Sequence, residues 1–437
     1  MTTHLRSILW CMAVLVALPI PTAEAAAQVR GEIVGAGASR MAIAVPDLRR
    51  LGGVDSAAGR TFIAALRRDL ELSGLFQVLD PKVHPEDAQT GGTSREDIRF
   101  EAWESIGARG LLRGQYEVTP TGLNLELRFF DVAGRTLLGG RRLGGGTPDA
   151  ARLAHRVADA YIEAITGKRG PFDSKLAFVS NRGGFPREIY AWSFDDRADK
   201  LTDHRSITMA PAWAPDSESV VFTSFRGGRP ALYSVDLASR AEVRLAGKLG
   251  LNIGGAWSPD GKLMVLAREN SGNTDLHVLD FQNEKQWQLT KHWGIDVGPA
   301  WSPDGRSLAF CSSRAGSPQI YIMEYASKAL RRLTYEGNYN CSPAWSPDGK
   351  SIAYAGQVRG RFQVMVIAAA GGTARQVTFK GENEDPTWSP DSRYIAYSSK
   401  RETTKKIYMS DQWGRWETAL TTGKGDESAP SWSRWLD

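Results

Sequence analysis

The stretch "AWSPDGK" at residues 256–262 has close relatives along the rest of the chain. They read "AWAPDSE" at 212–218, "AWSPDGR" at 300–306, "AWSPDGK" at 344–350, "TWSPDSR" at 387–393 and "SWSRWLD" at the end of the sequence. Their first tryptophans stand at 213, 257, 301, 345, 388 and 432, so the spacings are 44, 44, 44, 43 and 44 residues. A period of this length indicates a repeated supersecondary unit.

Each repeat contains further segments in the same register. An apolar segment such as "LAFCSSR" (308–314) follows the turn, an alternating segment such as "QIYIME" (319–324) comes next, and a short segment such as "RLT" closes the unit. With the segment that carries the tryptophan, this makes four short strands, and six such units predict a six-bladed β-propeller. Pro-Asp-Gly suits a tight turn and the tryptophan ring suits packing between blades, so we interpret the heptapeptide as structural and not catalytic.

The truncated last copy predicts how the ring closes. The propeller region begins with the second-strand sequence "SKLAFVSNR", which has no tryptophan strand before it, and it ends with the tryptophan strand "APSWSRWLD". The two pieces together make one blade, so we expect the C-terminal strand to pair with the strand that begins near Lys175. Such closure removes the free edges of the ring.

The region before the propeller lacks the period and is predicted to be an α/β domain. The fold class is therefore an α/β N-terminal domain followed by an all-β six-bladed β-propeller, with boundaries at 40–167 and 168–437. The expected elements are a strand at 41–45, a helix at 57–74 with Phe62, Leu66 and Leu70 on one face, a helix opened by Ser94 and Asp97 that contains Ile98, Trp103 and Ile106, a strand at 123–131 and a helix at 148–167.

The N-terminus predicts export. An apolar run at 8–20 follows Arg6 and is followed by small residues, which is typical of a signal peptide (1–25) cleaved after Ala25 or Ala27. Residues 28–39 then form a predicted flexible N-terminal strand. No later stretch is apolar enough to span a bilayer, so direct membrane insertion is not expected. The net charge of +5 comes without a long Lys/Arg run, which argues against nucleic-acid binding.

Two cysteines, Cys311 and Cys341, remain after removal of the signal peptide. The repeat places them at similar heights on adjacent blades. In an oxidising compartment they can form a disulfide, and two buried free thiols are the alternative.

No catalytic motif is present in the sequence. The histidines lack zinc-ligand spacing, G-x-S-x-G and a phosphate-binding loop are absent, and "GAGAS" falls short of a dinucleotide fingerprint. We expect His155 on the polar face of a helix and His277 within a strand. Carboxylates do gather before the tryptophan strands; paired acids suit a hydrolase or a calcium site, and solvated turns are the alternative we favour. We therefore predict no catalytic residue, metal or cofactor.

A binding function is the remaining prediction. In a propeller, the links from the outer strand of one blade to the inner strand of the next converge on one mouth of the channel, where rings of this kind present a surface to protein segments. The links here include "SIT" (206–208), "LNIG" (251–254), "IDV" (295–297), "NYN" (338–340), "ENED" (382–385) and "DES" (426–428).

With these motifs in place, the chain resembles the TolB family of the Tol-Pal envelope system. The resemblance rests on "GLFQVLD" after the first helix, "ITGKRGPF" at the domain boundary, the six "WSPDG"-type blades and the terminal Pro-x-Trp-Ser. It implies a non-enzymatic, monomeric periplasmic adaptor that supports outer-membrane integrity and constriction in cell division. The implied partners are the lipoprotein Pal at the propeller mouth and the C-terminal domain of TolA at the N-terminal segment, with colicins as a further partner in some bacteria.

The predicted site residues follow from the mouth segments and from this resemblance. Leu251 and Val297 stand where one familiar version of the family pattern has His and Thr. The predicted Pal-binding residues are Leu251, Asn252, Gly254, Asp296, Val297, Asn338, Asn340, Glu382, Glu384, Asp385 and Asp426. The predicted TolA-binding residues are Val29, Arg30, Gly31, Glu32, Ile33, Val34, Gly35, Ala36 and Gly37. The alternative function is the propeller of a peptidase-like hydrolase, although no hydrolase domain fits in residues 28–167.

Overall fold

The computed structural model describes residues 40–52, 57–246, 252–270 and 272–436, which form an α/β domain and a ring of six sheets. The predicted signal peptide and the predicted strand at 28–39 lie outside the described residues. The N-terminal domain has the strands β1 (Met41–Ala44), β2 (Arg49–Gly52), β3 (Phe76–Val78), β4 (Gly110–Thr119), β5 (Gly122–Asp131) and β6 (Thr136–Gly145), and the helices α1 (Ala57–Leu72), α2 (Phe100–Ser105) and α3 (Ala150–Thr166). The strands form one sheet in the order β3-β1-β4-β5-β6, with β2 also paired to β4.

Helices α1 and α3 bury their apolar faces in the domain core. Phe62, Leu66 and Leu70 of α1 are fully buried there, as the helical spacing predicts, and α3 contributes Val157 and Tyr161 to the same cluster. Helix α3 ends at Gly167, whose φ of 75° is the left-handed conformation that glycine adopts at little cost.

The predicted second helix is wrong as a single element. Residues Arg95–Asp97 form one 3₁₀ turn, in which the backbone N–H of Ser94 donates to Asp97, and the chain is extended at Ile98 before α2 begins. Ile98 is buried in the cluster that contains Trp103, so burial of an apolar side chain overrides the local helical signal.

The propeller has the six blades that the period predicts. Each blade is a four-stranded antiparallel sheet whose innermost strand carries the repeated tryptophan. Blade 1 has β7 (Lys175–Ser180), β8 (Glu188–Ser193) and β9 (Ala198–Lys200), and its inner strand is β30 (Glu427–Trp432) from the end of the chain. Blade 2 has β10 (Thr208–Trp213), β11 (Ser219–Ser224), β12 (Ala231–Asp236) and β13 (Glu242–Ala246), and blade 3 has β14 (Asn252–Trp257), β15 (Leu263–Asn270), β16 (Asn273–Asp280) and β17 (Lys285–Gln288). Blade 4 has β18 (Asp296–Trp301), β19 (Ser307–Ser312), β20 (Gln319–Glu324) and β21 (Leu330–Arg332), blade 5 has β22 (Asn340–Trp345), β23 (Ser351–Val358), β24 (Arg361–Ala368) and β25 (Arg375–Gln376), and blade 6 has β26 (Glu382–Trp388), β27 (Tyr394–Lys400), β28 (Lys405–Asp411) and β29 (Glu417–Ala419).

The structural interpretation of the heptapeptide is confirmed. In blade 4 the Ser302 hydroxyl donates to Asp304 at 2.6 Å, Asp304 accepts the backbone N–H of Arg306 at 3.0 Å, and Gly305 has a φ of 70°. The ring nitrogen of Trp301 donates to the carbonyl of Ala256 in the preceding blade at 3.2 Å. The blade 4 motif thus makes a turn within its own blade and a hydrogen bond to the neighbouring one.

The ring closes as predicted, with β30 antiparallel to β7. Trp432 is 7% exposed, and its ring nitrogen donates to the Ser174 hydroxyl at 2.8 Å. The backbone N–H of Ser433 donates to the carbonyl of Lys175 at 2.9 Å. The first and last segments of the propeller therefore hold each other in one sheet.

A disulfide joins Cys311 of blade 4 to Cys341 of blade 5, so the free-thiol alternative is wrong. Their Cα atoms are 5.0 Å apart. Cys341 follows the first residue of β22, which places this covalent link between blades at the start of the inner strand.

The two domains share a core. A continuous cluster contains residues of α1 and α3 together with Phe194, Tyr394 and Trp432 of blades 1 and 6. His155 lies inside this junction: it is 4% exposed, its Nδ1 is 2.6 Å from Asp69, and its ring contacts Phe194. The expectation that His155 lies on a polar helix face is wrong, because α3 is covered on that side by the propeller.

Candidate functional site

The antiparallel order of the strands defines two ends of the propeller. The "WSPDG" turns and the turns after the third strands lie at one end, called here the turn end. The links from outer to inner strands, and the hairpins between second and third strands, lie at the other end, called here the mouth. The N-terminal domain contacts the turn end, where the Tyr394 hydroxyl donates to the carbonyl of Ser73 at 2.7 Å. The mouth is therefore at the far end of the propeller from that domain.

A ring of β-bulges lies on the inner strands of the six blades. The third residue before each repeated tryptophan has a positive φ, and the pairing of the first two strands shifts register there. A Cβ added to Gly254 would lie 3.8 Å from the Cβ of Ala210, so the bulges of neighbouring blades touch. Gly254 and Val297, both predicted site residues, line one cavity of about 330 Å³ at this level. The six bulge residues are Ala210, Gly254, Gly298, Ser342, Asp385 and Ala429.

Two predicted site residues, Asp296 and Asn340, are buried structural groups. Asp296 has no exposed surface and accepts hydrogen bonds from Arg314 at 2.9 and 3.1 Å. Asn340 donates to Gln319 at 2.9 Å and to the carbonyl of Glu336 at 2.8 Å. Asp296 pairs within blade 4, whereas Asn340 ties the inner strand of blade 5 to β20 of blade 4 and to the link between the two blades. Their placement on an open rim is therefore corrected, because their polar atoms are already paired in the interior of the propeller.

Exposed apolar side chains surround the mouth and form what we call the collar. Trp293 is 72% exposed, Tyr335 71% and Phe379 67%, and all three lie on links between blades. The link that carries Trp293 is held to the neighbouring hairpin, since Ile295 N–H donates to the Ser313 hydroxyl at 2.9 Å. Large exposed apolar patches mark interaction surfaces. The collar consists of Ile207, Trp293, Ile295, Tyr335, Tyr339 and Phe379.

Sequence reasoning missed the collar because it gave weight to polar and charged residues. A signal was available: the residue directly before the inner strand is Ile207 in blade 2, Ile295 in blade 4 and Tyr339 in blade 5. A large apolar residue at a solvent-facing link is unusual for a loop. Asn338, a predicted site residue, is exposed beside Tyr339.

Acidic residues continue the rim from the collar residue Phe379 around blade 6, and we call Glu382, Glu384, Asp385 and Asp426 the acidic arc. Glu382 is exposed, whereas Glu384 pairs with Lys405 at 2.5 Å. Asp426 accepts the backbone N–H of Lys405 at 2.9 Å. Burial raises the pKa of Asp385, and the Glu384 carboxylate raises it further. The arc is thus partly neutralised and partly buried, with Glu382 as its most open carboxylate.

The remaining predicted residues are described in part or not at all. Leu251 and the predicted TolA-binding residues Val29 to Gly37 lie outside the described residues. Asn252 is described through its backbone, which pairs with Arg268 in the blade 3 sheet.

One Ser-His-acid arrangement occurs near the mouth in blade 2. The Ser224 hydroxyl is 2.7 Å from His204 Nδ1, and His204 Nε2 is 2.8 Å from Glu242. Ser224 has no exposed surface, and its hydroxyl accepts the backbone N–H of Arg226, as Ser312 does from Arg314 in blade 4. A buried serine that recurs as a hairpin anchor gives a substrate no access, so this arrangement is structural.

Among the described residues, no group of three or more His, Cys, Asp or Glu is placed to hold a metal ion. No helix in the described ranges combines the length and the apolar character needed to cross a membrane. His277 lies in strand β16, as predicted, and burial lowers its pKa.

Comparisons with known proteins give a consistent result. A family model described as the TolB beta propeller domain matches residues 162–436, and one described as the TolB amino-terminal domain matches residues 29–138.

The Tol-Pal system protein TolB of Syntrophotalea carbinolica is 39% identical over 198 residues, which cover 45% of this chain and 46% of that protein. The protein of the same name from Geobacter sulfurreducens is 36% identical over 219 residues, or 50% of each chain. The chain thus spans about half the length of the curated relatives it matches. The crystal structure of TolB from Acinetobacter baumannii matches with a TM-score of 0.80 at 24% identity, covering 91% of this chain and 97% of that one, which shows a common fold.

Proposed function

The chain belongs to the TolB family, and from that premise we propose that it is a non-enzymatic periplasmic adaptor of the Tol-Pal system. It binds the lipoprotein Pal at the propeller mouth and the C-terminal domain of TolA through residues 28–37. Through these contacts it supports outer-membrane integrity and envelope constriction during cell division, and colicins are a possible further partner class.

The observation that carries this proposal is the exposed collar. Interface energy concentrates in a few large aromatic side chains near the centre of a contact, and the collar supplies Trp293, Tyr335 and Phe379 on a fixed ring. The disulfide and the buried Asp296–Arg314 pair hold the underlying strands. The mouth therefore presents its apolar groups in a defined arrangement, which limits the ordering entropy lost on binding.

The acidic arc helps to orient the bound partner at the mouth. Charges at the edge of an interface mainly affect association rate and partner choice. Glu382 is exposed, whereas Glu384 forms an ion pair with Lys405 that a ligand must replace before it can bind this carboxylate. We therefore expect the Pal surface that faces blade 6 to be basic.

Calorimetric titration of the mature chain with the periplasmic domain of Pal tests the mouth assignment. We expect Trp293→Ala to weaken binding by about 2 kcal/mol or more, the usual size of a hot-spot loss. Trp413→Ala is the matched control: Trp413 is 52% exposed but lies at the turn end of blade 6. Charge reversal at Glu382, the most open carboxylate of the acidic arc, should weaken Pal binding with an unchanged melting temperature. If Trp413→Ala weakens Pal binding as much as Trp293→Ala, the mouth assignment is wrong.

The TolA assignment has a separate test. A chain that begins after residue 37 should lose binding to the C-terminal domain of TolA and keep its affinity for Pal. Full-strength TolA binding by that shortened chain would refute the assignment of residues 28–37, without affecting the assignment of the mouth.

A further inference from the structure

The residue directly after the third strand occupies an equivalent position in blades 2 to 6. Its backbone N–H donates to a carbonyl in the "WSPDG" turn of the same blade, at 3.2 Å from Phe281 to Lys262, 2.8 Å from Tyr325 to Arg306 and 2.9 Å from Ala369 to Lys350. Leu237 and Gln412 make the same bond in blades 2 and 6. We call this the cap position, because in blades 3 and 4 the ring at this position packs on the tryptophan of its own blade.

An aromatic ring fills the cap position in two of these blades and an equivalent ring covers blade 1. Ring centroids are 4.9 Å apart for Phe281 and Trp257, 4.9 Å for Tyr325 and Trp301, and 6.0 Å for Phe194 and Trp432. Blade 5 has Ala369 instead, in the small-residue run "AAAGG" at 368–372. An alanine side chain cannot reach over Trp345, so the tryptophan of blade 5 has no cap from its own blade.

A cleft opens where the cap is missing. It has a volume of about 670 Å³, which is within the range of ligand-binding sites, and it lies at the turn end between blades 4 and 5. Trp345, Ile322 and Leu330 supply apolar walls, and Ala369 and Ala370 form one side. The small side chains of Ala369 and Ala370 leave room beside Trp345.

Trp345 is attached less firmly than two of the other blade tryptophans. Trp301 and Trp388 donate their ring N–H to a carbonyl of the preceding blade, at 3.2 and 3.0 Å. The ring nitrogen of Trp345, like that of Trp257 in blade 3, is buried without a hydrogen-bond partner, and both side chains are only partly buried. Trp257 is covered by Phe281, so Trp345 is the one of these two rings that has no aromatic cap.

The charges around the cleft favour a cation. Three carboxylates line it, from Asp304, Glu324 and Asp348, against one guanidinium, from Arg331. Arg331 already donates to the carbonyl of Ala369 across one side. The local excess of negative charge contrasts with the net charge of +5 of the whole chain.

We propose that this blade-5 cleft binds an aromatic side chain flanked by a basic residue, on an extended segment of a partner protein. The aromatic ring takes the place over Trp345 that Phe281 and Tyr325 fill in their own blades, where such ring pairs add stability beyond area burial. The neighbouring cation faces the three carboxylates. Because the cleft is at the turn end, its occupation leaves the mouth open.

The test uses the mature chain labelled with 5-fluorotryptophan and the peptide acetyl-Lys-Phe-Lys-amide as the probe. The ¹⁹F signal of Trp345, assigned with Trp345→Phe, should shift saturably on titration. Acetyl-Glu-Phe-Glu-amide should bind about tenfold more weakly, since its charges face carboxylates. Acetyl-Lys-Ala-Lys-amide should give no saturable shift.

Two substitutions at one position provide the matched comparison. Ala369→Phe supplies the missing cap from within and should reduce probe affinity about tenfold or more, whereas Ala369→Ser leaves the cleft open and should bind as the wild type does. If Ala369→Phe does not fold, Ala369→Leu serves the same purpose. An unchanged Trp345 signal with the Lys-Phe-Lys peptide, equal binding of the Glu-Phe-Glu peptide, or wild-type binding by the filled variant would each overturn the proposal.

Discussion

Replacing Trp432 by alanine tests the closure of the ring most directly. Trp432 lies on the C-terminal strand, contacts Phe194 and donates to the Ser174 hydroxyl, both in the region where the propeller begins. The substitution therefore removes packing and a hydrogen bond between segments that are 258 residues apart in the sequence. The strand pairing of β30 with β7 stays possible, so the change isolates the contribution of the side chain.

The size of the loss follows from burial and pairing. A buried tryptophan replaced by alanine costs about 3–5 kcal/mol, and the lost hydrogen bond to Ser174 places Trp432 near the top of that range. Trp345 is the matched control, because it has the same place in its blade but is partly exposed, uncapped and without a hydrogen bond. We expect Trp345→Ala to cost about 1.5–2 kcal/mol, the value for incomplete burial of a large apolar side chain.

Thermal unfolding followed by circular dichroism measures the difference. At about 2 °C per kcal/mol, typical of a domain of about 250 residues, Trp432→Ala should lower Tm by about 8–10 °C and Trp345→Ala by about 3–4 °C. Equal shifts for the two variants would refute the reasoning, because they would show that contact across the closure adds nothing to the role of a blade tryptophan.

Three further predictions concern buried groups. Arg314→Ala leaves the Asp296 carboxylate buried without its partner and should cost about 3–5 kcal/mol, measured by chemical unfolding; a loss below about 1 kcal/mol would contradict the structural role of the pair. Burial acts to lower the pKa of His155, but the charge and hydrogen bond of Asp69 outweigh burial and raise the pKa. The His155–Asp69 pair therefore stabilises the fold fully below the ordinary histidine pKa of about 6.5, and this stabilisation is lost as pH rises through the higher folded-state pKa. His155→Gln should flatten that decline in Tm with pH, and an unchanged pH profile would count against the pair. Alkylation of the denatured, unreduced mature chain should label neither cysteine, and labelling of both would rule out the Cys311–Cys341 bond.

The fold could be predicted from the sequence because one side chain marks every blade. The tryptophan recurs with little change in spacing, and the Pro-Asp-Gly turn after it fixes where the next strand starts. Closure by β30 followed from the order of the incomplete segments alone. In the N-terminal domain, where no repeat exists, the long helices were predicted correctly, but the break at Ile98 was not, because it depends on a cluster formed with residues distant in sequence.

The candidate site could be located from the sequence, but its chemistry could not. Position along the repeat placed Asp296 and Asn340 at the mouth, yet both side chains are buried, where Asp296 pairs with Arg314 of its own blade and Asn340 pairs with Gln319 of the preceding blade. The preceding residues, Ile295 and Tyr339, are the ones that face solvent. A one-residue step reverses which side chain is buried, because successive strand residues point to opposite faces. The usual assignment of apolar residues to the interior and polar residues to the surface therefore fails at the start of the inner strands of blades 2, 4 and 5.

This inversion explains how a mouth can be both rigid and apolar. The buried polar groups fix the ends of the inner strands by directional hydrogen bonds, so the fold does not depend on the collar side chains for packing. Trp293 and Tyr335 remain mostly exposed and contribute little to stability, which leaves them available for contact with a partner. At the turn end the relation is the opposite, because aromatic caps such as Tyr325 are used for packing within blades. Blade 5 has Ala369 at this position, so an aromatic group from outside can meet the same packing surface on Trp345 that Phe281 and Tyr325 cover in blades 3 and 4.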